Sequence, residues 1–444
     1  MTQAVTRYHA LYESIRSRRR RPETYKGADA LVAWTKLKIR TRGTGLRSLK
    51  AEARLVDALA PQIRTLGERA LDEEVARVRE TFLRRRIERE DVRRALALTR
   101  EVARRATGEE AYVVQLTGAL GLYHGRIVEM LTGEGKTLTG SIAAPLIAWE
   151  RRSLHVFTVN DYLAARDAES RRPIYERCGC SVGAIQGEQS PQERAPIYAR
   201  SIVYGTPKQI TADYLRDQIR VASIPSPWTG RQTLGSQMGM GGPLVPGLRA
   251  ALVDEADAVL IDEGVVPLII ARARHEDAMG LVYRQASQLA ASLDEGPDYT
   301  IDALRRKAEL KRRGRHRAQA QWQQFSEPIW KAQRRAEELV KQALVAEHCY
   351  KRGQQYEIVD GQIVIVDEYT GRFLKDRSWE HGLHQAVEAK EDLEVTADRE
   401  TLARLSFQRF FRMYPFLAGM TGTAADATRE MERVYDRPVV RIPT

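Results

Sequence analysis

Gly133-Glu134-Gly135-Lys136-Thr137 sets two glycines, a lysine and a hydroxyl within five residues. That combination can do phosphate chemistry. Gly133 and Gly135 let the backbone approach a polyanion and adopt turns that a Cβ forbids. Lys136 can reach β- and γ-phosphates, and the Thr137 hydroxyl can ligate Mg²⁺. A second group lies far downstream, at Asp254-Glu255-Ala256-Asp257. There Asp254 can hold Mg²⁺ directly or through water, while Glu255 polarises the attacking water. Each group supplies what the other lacks.

Both groups need elements to aim them. Ile127 to Leu131 is a short, mostly apolar run, as expected for a strand, and Leu138 to Trp149 reads as a helix. Strand, glycine-bearing turn and helix are the setting of a phosphate loop, whose amides and helix N-terminus face the anion. The strict pattern G-x-x-x-x-G-K-[ST] wants glycine where Met130 stands. The match is therefore the T-G-x-G-K-T variant of helicase-like motors, beginning at Thr132. A chance Gly-Lys-Thr turn is the other reading, and the strand–loop–helix context weighs against it. Ala251-Leu252-Val253 leads into Asp254, as a buried strand ending at a ligand site does. Asp262-Glu263 follows Val259-Leu260-Ile261 in the same way, but alone reads as solvated surface charge.

The 444 residues suffice for two or three domains, and no segment has the uninterrupted apolar length of a transmembrane helix. The N-terminus is polar and reads as lacking a secretory leader. Cys178, Cys180 and Cys349 are the only cysteines, which suits a reducing cytosol. Cys178-Gly179-Cys180 has no second ligand pair at metal-site spacing and reads as two incidental thiols. Net charge is +12, so acidic partners fit. Arg16 and Arg18 to Arg21 form an N-terminal basic run, and Arg84 to Arg86, Arg93-Arg94 and Arg104-Arg105 continue it on helices. The internal clusters read as solvated basic faces.

Residues 1–110 have helical apolar spacing, clearest over Leu49 to Leu71 and Glu74 to Ala106. Strands then alternate with helices at Leu154 to Val159, Ser201 to Tyr204 and Ala251 to Val253, which predicts a parallel sheet with helices on both faces. From Arg272 to about residue 350 the chain is rich in Arg, Lys, Gln and Ala with helical spacing. Asp360-Gly361 between Tyr356 to Val359 and Ile363 to Val366 predicts a hairpin. Leu417 to Met420 and Pro438 to Ile442 are further strand candidates. His384 and Glu388 could share a helix face as metal ligands near Trp379. With no third ligand in view, they read instead as packing between insert and motor.

On several ordered blocks from about residue 110 onward, the chain resembles the SecA family, the ATPase motors of bacterial preprotein translocation. The blocks are Tyr112 to Leu116, Glu129 to Leu138, Thr158 to Ala164 with Arg166 to Glu169, Tyr204 to Thr206, and Asp213 to Asp217. They continue with Leu252 to Glu255, Leu260 to Glu263, Pro267 to Ile270, Gly382 to Glu391 and Leu417 to Ala424.

The resemblance implies an α/β fold. It consists of a RecA-like P-loop NTPase sheet (111–271 and 395–444), an inserted α+β substrate-binding domain like the preprotein cross-linking domain (272–394), and a helical N-terminal region (1–110). It implies ATP and Mg²⁺ as cofactors, held by Gln115 at the base, by Thr132, Gly133, Glu134, Gly135, Lys136 and Thr137 at the phosphates, and by Thr137 and Asp254 at the metal. Catalysis would fall to Glu255, Asp254 and Lys136. Thr421-Gly422-Thr423 would couple γ-phosphate state to domain movement. Implied partners are unfolded preprotein, a SecYEG-like membrane channel, anionic phospholipid and a second copy in a homodimer, at the cytoplasmic face of the cell membrane.

The chain departs from the family pattern at Leu131, where Arg is usual, and at Gly264-Val265-Val266, in place of Ala-Arg-Thr. Ile224 to Arg249 reads as an insertion. The chain stops at Val439 to Thr444, about where the first motor domain of the family hands over to the second. It is thus expected to be a fragment or a short divergent member that turns over slowly without a partner arginine. Two other function classes share these features. A DEAD-box RNA helicase would fit Asp254-Glu255-Ala256-Asp257 and the basic charge, although Thr421-Gly422-Thr423 stands where such helicases carry Ser-Ala-Thr, so nucleic acid is not the expected partner. A nucleotide-gated protein-binding adaptor would fit the missing second half.

Overall fold

A computed structural model describes Thr35 and residues 43–222, 243–274, 277–367, 371–374, 377–379, 382–396, 398–423 and 427–443. The Arg16 to Arg21 run and most of Ile224 to Arg249 lie outside these residues. Two units form: one runs to Ile270 and resumes at Ala403, and the other is Ala271–Leu402.

Helices open the first unit: α1 (Leu46–Asp57), α2 (Ala60–Arg64), α3 (Glu68–Leu83) and α4 (Arg89–Thr107). Helix α3 buries Leu71, Val75, Val78 and Phe82, one stripe at helical spacing. The two long helices expected here are broken. Pro61 in the first turn of α2 has no N–H to continue α1, and Gly67 caps α3. Arg85 takes a left-handed φ of 57°, and Glu88 with Asp91 forms a capping box that restarts the chain as α4. Gly108, at φ 75°, ends α4 in the left-handed conformation that glycine tolerates best.

The basic clusters of α4 are not free faces. Arg93 grips Glu52 through two nitrogens at 2.6 and 3.0 Å. Arg94 meets Glu74, and Arg104 and Arg105 share Glu101. Acids from neighbouring helices (Glu52, Glu74) and from α4 itself (Glu101) neutralise this charge, which apolar spacing alone leaves to solvent.

After α5 (Val113–Tyr123) the chain builds a sheet. The strands are β1 (Ile127–Glu129), β2 (Leu154–Phe157), β3 (Val182–Ala184), β4 (Ile202–Gly205), β5 (Ala250–Asp254), β13 (Phe416–Thr421) and β14 (Val439–Arg441). Their order is β14-β1-β13-β5-β2-β4-β3, parallel throughout. Helices α6 (Lys136–Arg151), α7 (Asp161–Arg177), α8 (Pro191–Tyr198) and α9 (Pro207–Ala222) cross between strands, as parallel pairing requires. The strands are short apolar runs because both faces are covered. This is the expected α/β, RecA-like arrangement.

Strands β6 (Pro267–Arg274) and β12 (Asp398–Ser406) pair with each other and carry the chain out and back. Helix α14 (Phe407–Phe411) and α15 (Thr428–Tyr435) complete the first unit.

The second unit holds α10 (Asp277–Ala291), α11 (Arg312–Trp322), α12 (Gln333–Cys349) and α13 (Leu383–Lys390) with β7 (Tyr299–Asp302), β8 (Lys307–Leu310), β9 (Tyr356–Val359), β10 (Gln362–Val366) and β11 (Phe373–Leu374). Val282, Trp322, Trp330, Leu344, Tyr356 and Val387 share its core. The Asp360-Gly361 hairpin forms, both residues having positive φ (53° and 76°). The β7–β8 hairpin interrupts what reads as continuous helix. Lys307-Ala308-Glu309-Leu310 is a helix-favouring composition, yet its burial alternates with period two against β7. Tertiary pairing overrode propensity there.

Candidate nucleotide site

Three neighbouring strands end at one place. β13 lies between β1 and β5, with Glu129 level with Thr421 and Met420 level with Asp254. The loops that leave β1, β13 and β5 are therefore side by side. This converts two motifs more than a hundred residues apart into a single cleft edge.

Met130, at the place of the missing glycine, directly follows β1 and is still tied to the neighbouring strand. Its N–H donates to Thr421 O at 2.9 Å, and its buried side chain packs beside Thr139. The turn proper starts after it. Leu131, Thr132 and Gly133 are exposed, and Gly133 and Gly135 take φ values of 88° and 79°. A Cβ on Gly133 would meet nothing within 4 Å, so conformation and not space calls for glycine there. Gly135 caps α6 and Lys136 is its first residue. Thr137 follows in the first turn, where free amides and the helix dipole favour an anion.

Gln115 has a role that the motif reading did not foresee. Its Oε1 accepts from Tyr112 N–H, and its Nε2 donates to Glu134 O, both at 2.9 Å. It thus ties the start of α5 to the phosphate loop. Tyr112, 68 % exposed, stands beside it.

Across the edge, Lys136 Nζ donates to Glu255 Oε1 at 2.9 Å. Glu255 sits at φ 47°, a left-handed conformation that costs a non-glycine residue about 1–3 kcal/mol. Its N–H donates to the Asp254 carboxylate at 3.0 Å. Burial, then the like charge of Glu255, pushes the Asp254 carboxyl up to about 6. A carboxylate held against its own ionisation, beside a second acid, fits a site for a divalent cation. Thr137 and Asp254 are the side chains that would hold Mg²⁺ here.

Thr421 is fully buried at the end of β13. Its Oγ1 accepts from Thr423 N–H at 3.1 Å, and the Thr423 hydroxyl donates to the Asp257 carboxylate. Burial opposes Asp257 ionisation, but hydrogen bonds from the Thr421 and Thr423 hydroxyls and from backbone N–H groups together outweigh it and lower the pKa. Gly422 faces Lys136: a Cβ there would lie 3.5 Å from Nζ and 3.4 Å from Thr132 Oγ1. The Asp254-Glu255-Ala256-Asp257 motif alone assigns Asp257 no role. Only pairing of β13 with β5 reveals it as the bolt between the two loops.

A model of the SecA DEAD-like domain family matches residues 35–432. The chain belongs to the SecA family. Protein translocase subunit SecA 2 of Chlorobium chlorochromatii is 37 % identical over 428 residues, 95 % of this chain and 64 % of that protein. Its counterpart in Bordetella avium is 42 % identical over 355 residues, covering 79 % and 53 %. Protein translocase subunit SecA of Rubrobacter xylanophilus is 39 % identical over 410 residues, covering 92 % and 43 %. The chain therefore spans about two fifths to two thirds of the length of these relatives.

Leu131 is half exposed at the rim of the glycine-bearing loop. His384 and Glu388 lie 3.4 Å apart, buried in the second unit with Trp379 against the His384 ring. Glu388 also accepts from Thr396 N–H and hydroxyl, at 2.8 and 3.0 Å. Trp379, His384, Glu388 and Thr396 all lie within the second unit, Ala271–Leu402. No cluster of three metal-ligating side chains occurs among the described residues. Cys178 and Cys180 are buried free thiols with raised pKa, chiefly from desolvation.

Proposed function

We propose that this chain is the nucleotide-driven part of a protein translocation motor, binding ATP with Mg²⁺ and hydrolysing it. The carrying observation is the junction of β1, β13 and β5, where Lys136 meets Glu255 at 2.9 Å. Thr132, Gly133, Glu134 and Gly135 would wrap the phosphates with backbone N–H groups, and Lys136 would carry positive charge to the β/γ bridge. Gln115 would hold the loop in register and face the base. Thr137 and Asp254 would hold Mg²⁺, which would supply charge neutralisation at the phosphate oxygens. Glu255, released from Lys136 as phosphate competes for the ammonium, would orient the attacking water and take its proton. Asp257 and Thr421-Gly422-Thr423 would carry the state of the site from β5 into β13.

Family membership supports the translocation role, and the relatives are named protein translocase subunits. Unfolded preprotein is the proposed cargo of the second unit. A SecYEG-like channel and anionic phospholipid are the proposed membrane partners, with a homodimer as the proposed assembly. The place of work is the cytoplasmic face of the cell membrane. No described helix is long and apolar enough to cross a membrane.

The deciding experiment is steady-state ATP turnover by the chain alone and with a separately supplied second motor half. Lys136→Ala is the control. The expected result is slow turnover alone and Lys136-dependent stimulation by the added half. Tight ATP binding with no turnover in either case would replace this reading with a nucleotide-gated adaptor. Stimulation by RNA would replace it with a helicase.

A further inference from the structure

Ile301 to Arg317 carries eight Lys and Arg residues against Asp302 and Glu309, so seventeen residues account for half of the chain's net charge of +12. They form the end of β7, a four-residue turn, β8 and the first half of α11. The turn is held from within. Asp302 Oδ1 accepts from Arg305 N–H at 3.0 Å. Arg306 has φ 50°, with its guanidinium 5.2 Å from the centre of the Tyr350 ring. Leu304 is left at the apex, 99 % exposed, the most exposed large apolar side chain among the described residues.

Folding uses only part of this charge. Arg313, Arg315 and Arg317 pair with Asp298, Glu337 and Asp294. Arg305, Lys307, Lys311 and Arg312 are exposed around and behind the apex, Arg305 in a loose 3.8 Å ion pair with Asp302 and Lys311 donating from Nζ to Gly296 O. Lys311 caps α11 and no acid lies in its first turn, so positive charge meets the positive end of the helix dipole.

An aliphatic apex ringed by cations fits the boundary of an anionic bilayer. Basic side chains are drawn to the headgroups, the leucine enters the acyl boundary, and together they supply the two signals that stable attachment needs. A single-stranded nucleic acid site would offer aromatic platforms, and Ala303 to Lys307 contains none. We propose that the β7–β8 hairpin is a membrane-contact element, with Leu304 entering the interface and Arg305, Lys307, Lys311 and Arg312 engaging phospholipid phosphates. It does not rest on the nucleotide reading.

The test uses the full chain and phosphatidylcholine vesicles with or without phosphatidylglycerol. Leu304→Cys in a Cys349→Ser background carries an environment-sensitive dye, the other two thiols being buried. A blue shift with phosphatidylglycerol vesicles alone is expected. Leu304→Asp should lower vesicle partitioning ~10–100-fold, the worth of burying one leucine. Arg305→Glu with Lys307→Glu should lower it at least about tenfold and abolish its salt dependence near the tip. ATP binding should be unchanged in both, which also reports folding. A dye that stays aqueous while the chain sediments with vesicles overturns the proposal and assigns binding elsewhere. Unchanged partitioning of the variants, or capture of RNA without vesicle binding, overturns it equally.

Discussion

Asp254-Glu255 and Asp262-Glu263 are the same dipeptide eight residues apart, each preceded by three apolar residues, and the fold treats them oppositely. The first ends β5 in the middle of the sheet, where Glu255 is bent to φ 47° onto Lys136 and Asp254 is partly buried. The second closes a five-residue π-helical turn, Ala258–Asp262, and both of its side chains are exposed. Leu260 O in that turn accepts from Tyr435 OH at 2.5 Å, so its job is packing. The same functional groups acquire chemistry only where neighbouring strands bring a cation, a hydroxyl and free amides to face them.

The largest test of this contrast is Glu255→Gln, expected to lower ATP turnover about 10²–10⁴-fold while nucleotide binding persists. Phosphate release under saturating ATP measures it. A similar loss from Glu263→Gln would break the comparison.

Titration of Asp254 sharpens it. A folded pKa of about 6 lies above the ordinary 3.8, so the folded metal-free chain binds the extra proton between those values. Stability without Mg²⁺ should therefore fall as pH rises from about 4 through 6. The affinity of the nucleotide complex for Mg²⁺ should fall in the other direction, as the proton competes below about pH 6. Asp254→Asn should flatten the first trend in chelator-treated urea unfolding. A slope that survives the substitution assigns the titration to another group.

The second pair has a backbone dependence of its own. A Cβ at Gly264 would stand 2.2 Å from Leu260 O. Gly264→Ala should cost about 1–3 kcal/mol in urea unfolding, the usual range for overpacking. Asp262→Asn with Glu263→Gln should change stability by less than about 0.5 kcal/mol, as exposed substitutions do. Together they would show that this segment matters through its main chain and not its carboxylates.

Much of the candidate nucleotide site was legible because it is local. A glycine-bearing turn, Lys136 and Thr137 are consecutive, and backbone conformation at Gly133 and Gly135 follows from residue type. The Asp360-Gly361 hairpin was legible for the same reason. The helix breaks at Pro61 and Gly67 had signals that apolar spacing overrode. Long-range partners carried none: Glu134 O as the target of Gln115, and Asp257 as the partner of Thr423, depend on strands and helices meeting. The β7–β8 hairpin was hidden because helix-favouring residues settle as strands once each supplies the other's hydrogen bonds.

By itself the amino-acid order determined which groups could cradle phosphate, which runs would be buried strands, and that the chain resembles a translocation motor. The tertiary structure alone decided which acidic pair joins Lys136, where the Arg93 and Arg94 charges are neutralised, and that Leu304 stands at an exposed basic apex. Those outcomes depend on strand order and on contacts between distant segments, and a carboxylate or a leucine has no fixed role until the groups around it are in place.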